Sequence, residues 1–179
     1  MNKIARFEKV SFNQFLNDYA DANNLELSGD NAAKNMMHIK EVYDALKLPK
    51  RATIGSAGYD FYAPVDIKLE PGETIKIPTG IKAFMSHDWV LMCFPRSGLG
   101  FKFRLQLNNT VGIIDSDYFY SDNEGHIFAK ITNDTNEHKT INIKAGDGFM
   151  QGIFLQYGIT EDDDTDGIRN GGFGSTTNQ

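Results

Sequence analysis

The hydrophobic rhythm of the chain changes near residue 50. Before that point, Phe12, Phe15, Leu16, Tyr19 and Ala20 recur at helical spacing behind Ser11-Phe12-Asn13-Gln14, which fits a capping box, so a short amphipathic helix is predicted. Ala32, Met36, Ile39, Tyr43 and Leu46 predict a second helix over about Asn31 to Leu46, with Pro49 as its stop. Asn23 to Asp30 reads as the loop between them, and the apolar stripe of the second helix reads as packing against the rest of the protein. From Ala57 onward short apolar runs alternate with Gly, Pro, Asn and Asp, and no further helix is predicted. Tyr59 to Ala63, Val65 to Leu69, Thr74 to Pro78, Ile81 to Met85, Val90 to Phe94, Phe103 to Leu107, Ile127 to Thr132, Thr140 to Ile143 and Phe149 to Gln156 all qualify as strands. Turn signals stand at Pro71-Gly72, Asn108-Asn109 and Asp122 to Gly125, the last resembling an extended hairpin tip. So many short strands predict an all-β sandwich or jelly roll carrying a helical N-terminal appendage.

Composition narrows the function classes. A chain of 179 residues with 40% hydrophobic content can bury a real core in one domain. The net charge of −6 argues against a nucleic-acid polymer as the main ligand, which needs a broad basic surface, and leaves room for a small anion in a local pocket. Cys93, the sole cysteine, lies in an apolar run, so an intramolecular disulfide is excluded and a buried thiol is expected. No apolar run approaches the roughly 18 residues of a membrane span. The N-terminus, with Arg6, Glu8 and Lys9, lacks a signal-peptide core. A cytoplasmic protein without membrane contact is expected. Glu161 to Asp166 reads as a solvated, mobile connector rather than a metal cluster.

Two segments carry candidate chemistry. In Arg96-Ser97-Gly98-Leu99-Gly100 a guanidinium, a hydroxyl and backbone N–H groups unobstructed by side chains can meet phosphate oxygens. Downstream, Val111 to Ile114 has a short buried-strand pattern that ends in Asp115-Ser116-Asp117-Tyr118, placing the Asp115 carboxylate at the edge of a core where it could accept a proton from water. Taken singly, the first motif also fits an ordinary turn and the second an ordinary strand end. Arg169 to Thr177 sets Phe173 between glycines ahead of three hydroxyls. That tail fits a floppy terminus and a closing lid, with the ring stacking on a flat ligand, equally well.

The order of motifs resembles the trimeric dUTPase family across roughly Leu48 to Thr176. SAGYDFYA (Ser56 to Ala63), PRSGLG (from Pro95), NNTVGIIDSDY (Asn108 to Tyr118), GDGFMQ (Gly146 to Gln151) and the glycine-rich Arg169 to Thr176 are similar to its five motifs in sequence. The resemblance implies a jelly-roll homotrimer whose active sites draw on several subunits, and hydrolysis of dUTP to dUMP and pyrophosphate. It implies Asp115 as the base that activates water, and Tyr118 against the deoxyribose. Asn109 and Gly112 would read uracil, while Arg96, Ser97, Gly98 and Gln151 hold the phosphates. Arg169, Phe173, Gly174 and Ser175 would form a lid. Asp60 would face the metal through water or the Arg96 guanidinium. Mg²⁺ would be bound mainly by substrate phosphates and water.

On this reading residues 1–50 are a mainly helical extension packed on the core, 51–160 the β core, and 161–179 the connector and lid. The extension has no counterpart in the minimal family domain; it reads either as packing over the trimer or as a surface for another protein. Three departures stand out: Gly148 replaces a common arginine, the fifth motif is one residue short between Arg169 and Phe173, and Phe119 to Gly125 lengthens the loop after Tyr118. The alternatives are a dCTP deaminase-like enzyme and a nucleotide-sensing regulatory protein built on the same core.

Overall fold

The capping box at Ser11 is completed from 113 residues away. The computed structural model describes residues 2–167, 169 and 171. In it α1 (Phe12–Asn23) starts with Ser11 Oγ accepting from the Gln14 N–H at 3.1 Å. The Gln14 side chain turns away to Asp18, and Ser11 instead donates its N–H and hydroxyl to the Glu124 carboxylate at 2.8 and 2.6 Å. The helix terminus is thus satisfied by a loop of the β core.

Ahead of α1 lies β1 (Ala5–Lys9), which the sequence pattern did not reveal because its side chains alternate weakly. It pairs antiparallel with β6 (Ile81–Met85). Its Phe7 ring sits among Tyr59, Phe61 and Phe154, with centroids 5.3, 5.5 and 5.6 Å away. The second helix, α2 (Ala32–Ala45), follows the predicted span, but Ile39 and Val42 are its buried residues and Met36 is exposed. Its first turns overhang the core, so the stripe is shorter than the spacing predicts.

The remaining elements are strands β2 (Lys50–Arg51), β3 (Tyr59–Tyr62), β4 (Ile67–Leu69), β5 (Thr74–Pro78), β7 (Trp89–Pro95), β8 (Leu105–Leu107), β9 (Gly112–Ile114), β10 (Phe128–Asn133), β11 (Ile141–Ile143) and β12 (Gly148–Gln156). Antiparallel ladders give one sheet in the order β2-β3-β12-β7-β9 and another β5-β10-β8, with the pairs β4-β11 and β1-β6 beside them. Alternate residues of β4, β6, β8 and β11 are buried, the period of two that turns one face of each strand inward. Phe61, Leu91, Ile131, Ile141 and Phe149 meet there without exposure. This is the jelly roll expected from the strand pattern.

Three local expectations are corrected. Ser97–Phe103 is helical (α3) and shortens the predicted strand to β8; Leu99 and Phe103 pack on the core and outweigh the two glycines that weaken its propensity. Ser116–Tyr120 is a 3-10 helix. Asp122 to Gly125 is not a projecting tip but a tight turn, with Glu124 N–H donating to Ser121 O at 2.8 Å. Glu161 to Asp166 is exposed and irregular, and no three His, Cys, Asp or Glu side chains converge among the described residues. No helix among them is long and apolar enough to cross a membrane.

A second apolar cluster, centred on Val10, Phe15, Tyr19, Ile39 and Leu46, sits under the two helices and reaches Val65 of the β core. Its seat is Gly80, with φ +72°, where a Cβ would lie 2.2 Å from Leu46 and 3.2 Å from Phe15. Gly80→Ala combines a left-handed backbone with a steric conflict and should destabilise the protein by at least about 2 kcal/mol, read from its urea midpoint.

Two carboxylates tie the helices down. Burial pushes the Asp18 carboxyl up, but hydrogen bonds from His126 and Gln14 outweigh it and hold it below its ordinary 3.8; burial also raises Glu124, and the Ser11 bonds bring it below its ordinary 4.5. The unfolded chain therefore takes up protons first as pH falls, so the stability from both groups is complete above the ordinary carboxylate range and drains below it. Urea midpoints should fall between about pH 6 and about pH 3, less steeply in Asp18→Asn.

Candidate active site

Strand β12 lies between β3 and β7, so two motifs far apart in sequence flank the one it carries. Gln151 is opposite Asp60 on β3 and Phe94 on β7, and Met150 is opposite Pro95. Arg96 follows directly. Its guanidinium lies 3.6 Å from the Asp60 carboxylate and 3.5 Å from the Gly148 carbonyl oxygen. The missing side chain at Gly148 is accounted for here, because a Cβ would stand 3.1 Å from Arg96 Nη1. Arg96 thus occupies the space above Gly148. Ser97 and Gly98 open α3, and the first amides to bond back to Arg96 O are those of Leu99 and Gly100, both at 3.0 Å. The Ser97 and Gly98 N–H groups precede that ladder, as at any helix start. No atom lies within 4 Å of where a Gly98 Cβ would be, so the turn faces open space.

The other group of residues gathers on β9. Gly112, Ile113 and Ile114 pair with Cys93, Met92 and Leu91 of β7. The strand is only half-buried, with Ile113 exposed, so the fully buried pattern expected of it is corrected; β9 is an edge strand of its sheet. Asp115 follows and caps the 3-10 helix, while Thr110 turns the β8–β9 connection at φ 67°. Tyr118 is buried, donating its hydroxyl hydrogen to His126 O at 2.8 Å and accepting from Asn123 Nδ2 at 2.8 Å. Burial lifts its phenol above the ordinary range, against a smaller opposite effect of the Asn123 bond, and so it remains a neutral donor. Asn109, Gly112, Asp115, Tyr118 and Arg169 share a pocket of about 300 Å³. A neighbouring cavity of about 550 Å³ shares Asn109, Gly112, Ile114, Ile127 and Phe128 with it, so the two are lobes of one cleft along β9.

Asp115 is not an isolated carboxylate at a core edge. Its side chain is half-exposed, and Arg169 spans it and Asp117, with Nη2 at 2.5 Å from Asp115 Oδ2 and Nε at 2.8 Å from Asp117 Oδ1. The participation of Asp117 was not anticipated, although its place two residues from Asp115 was a readable signal. Phe173, Gly174 and Ser175 lie outside the described residues.

The candidate residues therefore form two groups. Asp60, Arg96, Ser97, Gly98 and Gln151 cluster about the β3-β12-β7 ribbon, and Asn109, Gly112, Asp115, Tyr118 and Arg169 line the β9 cleft. Asp115 follows the Ile114↔Leu91 pair, and Arg96 is five residues beyond Leu91. In the antiparallel register Asp115 falls opposite Val90, six residues before Arg96, so at about 3.3 Å per residue the two lie about 20 Å apart along the sheet. As for a metal, one carboxylate, Asp60, stands by the first group and already faces Arg96, so this donor set suits a divalent ion that brings most of its ligands as phosphate and water oxygens.

Such a frame, a small jelly roll with an anion-suited turn and a separate cleft lined by a carboxylate, fits a nucleotide-handling enzyme. The chain belongs to the dUTPase family: the family model described as dUTPase matches residues 44–177. It is 42% identical over 134 residues to the deoxyuridine 5'-triphosphate nucleotidohydrolase of Lactococcus lactis, covering 73% of this chain and 88% of that protein. With the Desulfitobacterium hafniense enzyme of that name it shares 38% identity over 154 residues, 79% of this chain and 97% of the other. Among solved structures, the Streptococcus mutans dUTPase superposes with a TM-score of 0.57 and 39% identity, over 66% of this chain and 91% of that one. A dUTPase of phage phi11 of S. aureus, described as coordinating a structural Mg(II) ion, shares the fold with a TM-score of 0.55 at 21% identity, over 69% of this chain and 92% of the other. The family match leaves residues 1–43 outside it.

Cys93 lines the larger lobe, but burial pushes its thiol up to about 12. It should therefore resist alkylation in the native protein at pH 8, about, and react at once in denaturant.

Proposed function

We infer that the protein hydrolyses dUTP to dUMP and pyrophosphate, lowering the dUTP available for uracil incorporation into DNA and supplying dUMP for thymidylate synthesis. The observation that carries this reading is the β9 cleft, whose lining brings Asn109, Gly112, Tyr118 and the Asp115 carboxylate together. Uracil enters between Asn109 and Gly112, where backbone N–H and C=O groups can pair with its edge. The deoxyribose lies on Tyr118, whose ring leaves no space for a 2′-hydroxyl. Asp115 orients a water and accepts its proton as that water attacks the α-phosphorus in line, which is general-base catalysis with a pyrophosphate leaving group.

Arg96, Ser97, Gly98 and Gln151 hold the phosphate chain. Because about 20 Å separates Arg96 from Asp115 along the sheet, the two cannot close on one triphosphate within a single chain. The site is therefore built between subunits of a homotrimer, the grip of one chain facing the cleft of another. Arg169 exchanges its two carboxylates for phosphate oxygens as substrate arrives, and Phe173, Gly174 and Ser175 close over base and phosphates. Mg²⁺, held by phosphate oxygens and by Asp60 through water, neutralises the triphosphate charge when bound. The cytoplasm, where nucleotide pools lie, is the matching compartment.

Purified protein with Mg²⁺ and, separately, dUTP, dCTP, dTTP and UTP should release dUMP and pyrophosphate from dUTP alone; ammonia from dCTP would point to a deaminase, and binding without turnover to a regulator. Asp115→Asn should lose at least about a hundredfold in kcat while still binding nucleotide. Light scattering should give three times the chain mass. Co-refolding Asp115→Asn with Arg96→Ala should restore part of the activity neither variant has alone, since some mixed trimers contain an intact site; no recovery would contradict a shared site.

A further inference from the structure

We propose that helix α1 of the N-terminal extension is a positioning element of the active site: Asp18, acting through the buried imidazole of His126, fixes Tyr118 and with it the discrimination between deoxyribose and ribose. The proposal rests on the reading of Tyr118 as the sugar wall. Its basis is a continuous chain of hydrogen bonds between a segment outside the family match and a residue inside the cleft.

His126 is the link. Its side chain is completely buried, and its Nε2 accepts the Gly80 backbone N–H at 2.7 Å. An N–H donor at that distance requires Nε2 to carry no proton, which puts the ring proton on Nδ1. Nδ1 then donates to Asp18 Oδ2 at 2.5 Å. With both nitrogens committed, the ring is held at two points and transmits position. The same residue holds Tyr118 through its backbone, since His126 O accepts the Tyr118 hydroxyl hydrogen at 2.8 Å. Asn123 closes the loop, its Nδ2 donating to the Tyr118 hydroxyl at 2.8 Å and its carbonyl oxygen accepting the His126 N–H at 3.1 Å.

Packing works in the same direction. The His126 ring lies between Phe15 of α1, centroid 6.1 Å away, and Phe128, 4.5 Å away, which lines both lobes of the cleft. Glu124, two residues earlier, receives Ser11 at the start of α1 and lies 3.8 Å from Lys82. The lengthened loop after Tyr118 is therefore clamped at both ends of one turn by the extension. Excluding a single hydroxyl by shape needs a wall held to within about 0.5 Å, and the bonds from Asp18 and Ser11 fix the loop behind that wall to the extension.

The test uses the full-length chain as Asp18→Asn, Asp18→Ala and, as a control, Tyr118→Ala. The readout is the ratio of kcat/KM for dUTP to that for UTP, with the ratio of Kd for dUMP and UMP alongside. Asp18→Ala should lower the preference for the deoxy compound roughly tenfold, mainly through KM, and Asp18→Asn, whose amide oxygen can still accept from Nδ1–H, should recover most of it. Long-range ¹H–¹⁵N spectra should find the His126 proton on Nδ1 in the unaltered protein. A lower melting temperature with an unchanged ratio in Asp18→Ala, while Tyr118→Ala loses the preference, would overturn the proposal and leave the sugar-wall reading standing. An unchanged ratio in Tyr118→Ala would remove both. A proton on Nε2 would also overturn it.

Discussion

The antiparallel register of β12 between β3 and β7 is the constraint on which the arrangement of functional groups depends. One ladder sets Gln151 beside Asp60, the other sets it beside Phe94, two residues before Arg96. A slip of one residue would turn Gln151 to the opposite face and carry the Asp60–Arg96 pair out of reach. Burial holds the register: Phe149 and Met150, adjacent at the β-bulge where β12 meets β3, have no appreciable exposure and both belong to the core that contains Phe61 and Leu91. The same ladder, continued into β9, decides that Asp115 lies at the far end of the sheet from Arg96. Hydrophobic packing thus separates the two groups of candidate residues within one chain.

The N-terminal extension is integrated by both backbone and side chains. Strand β1 lends Phe7 to the main core, and the helices build a second core over Gly80. Their charged contacts converge on one short turn: Glu124 caps α1, and His126 pairs with Asp18. Because this turn begins just after Tyr118, the extension and the cleft are mechanically one unit. Buried polar contacts of this kind stabilise modestly when complete and cost much when broken, which favours a single geometry.

Much of this was legible in the residues. The period-two runs predicted most of the strands, the helical stripes predicted α1 and α2, the Arg96 turn and the Asp115 strand end suggested a phosphate grip and a base, and nucleotide chemistry followed from the resemblance of five ordered motifs to the dUTPase family. What escaped was long-range. β1 has little alternation of its own and exists because β6 offers an edge; α3 contains two glycines and forms because Leu99 and Phe103 find the core. Half of the Ser11 capping box was readable, and the other half belongs to Glu124, a partner no local pattern could indicate. The bond from Arg169 to Asp115 and Asp117 is likewise a contact across 52 to 54 residues.

By itself the sequence determined the kinds of groups available: an arginine and glycines for phosphate, a carboxylate at the end of a strand, a tyrosine beside it, and a jelly-roll core to hold them. These follow from local periodicity and side-chain chemistry, which are properties of neighbouring residues. Only the tertiary structure decided which groups face one another. It placed Arg96 over Gly148, parted Arg96 from Asp115, and ran Asp18 through His126 to Tyr118. Those outcomes come from strand register and from burial of polar atoms that must find partners, and both are settled between segments that lie tens of residues apart.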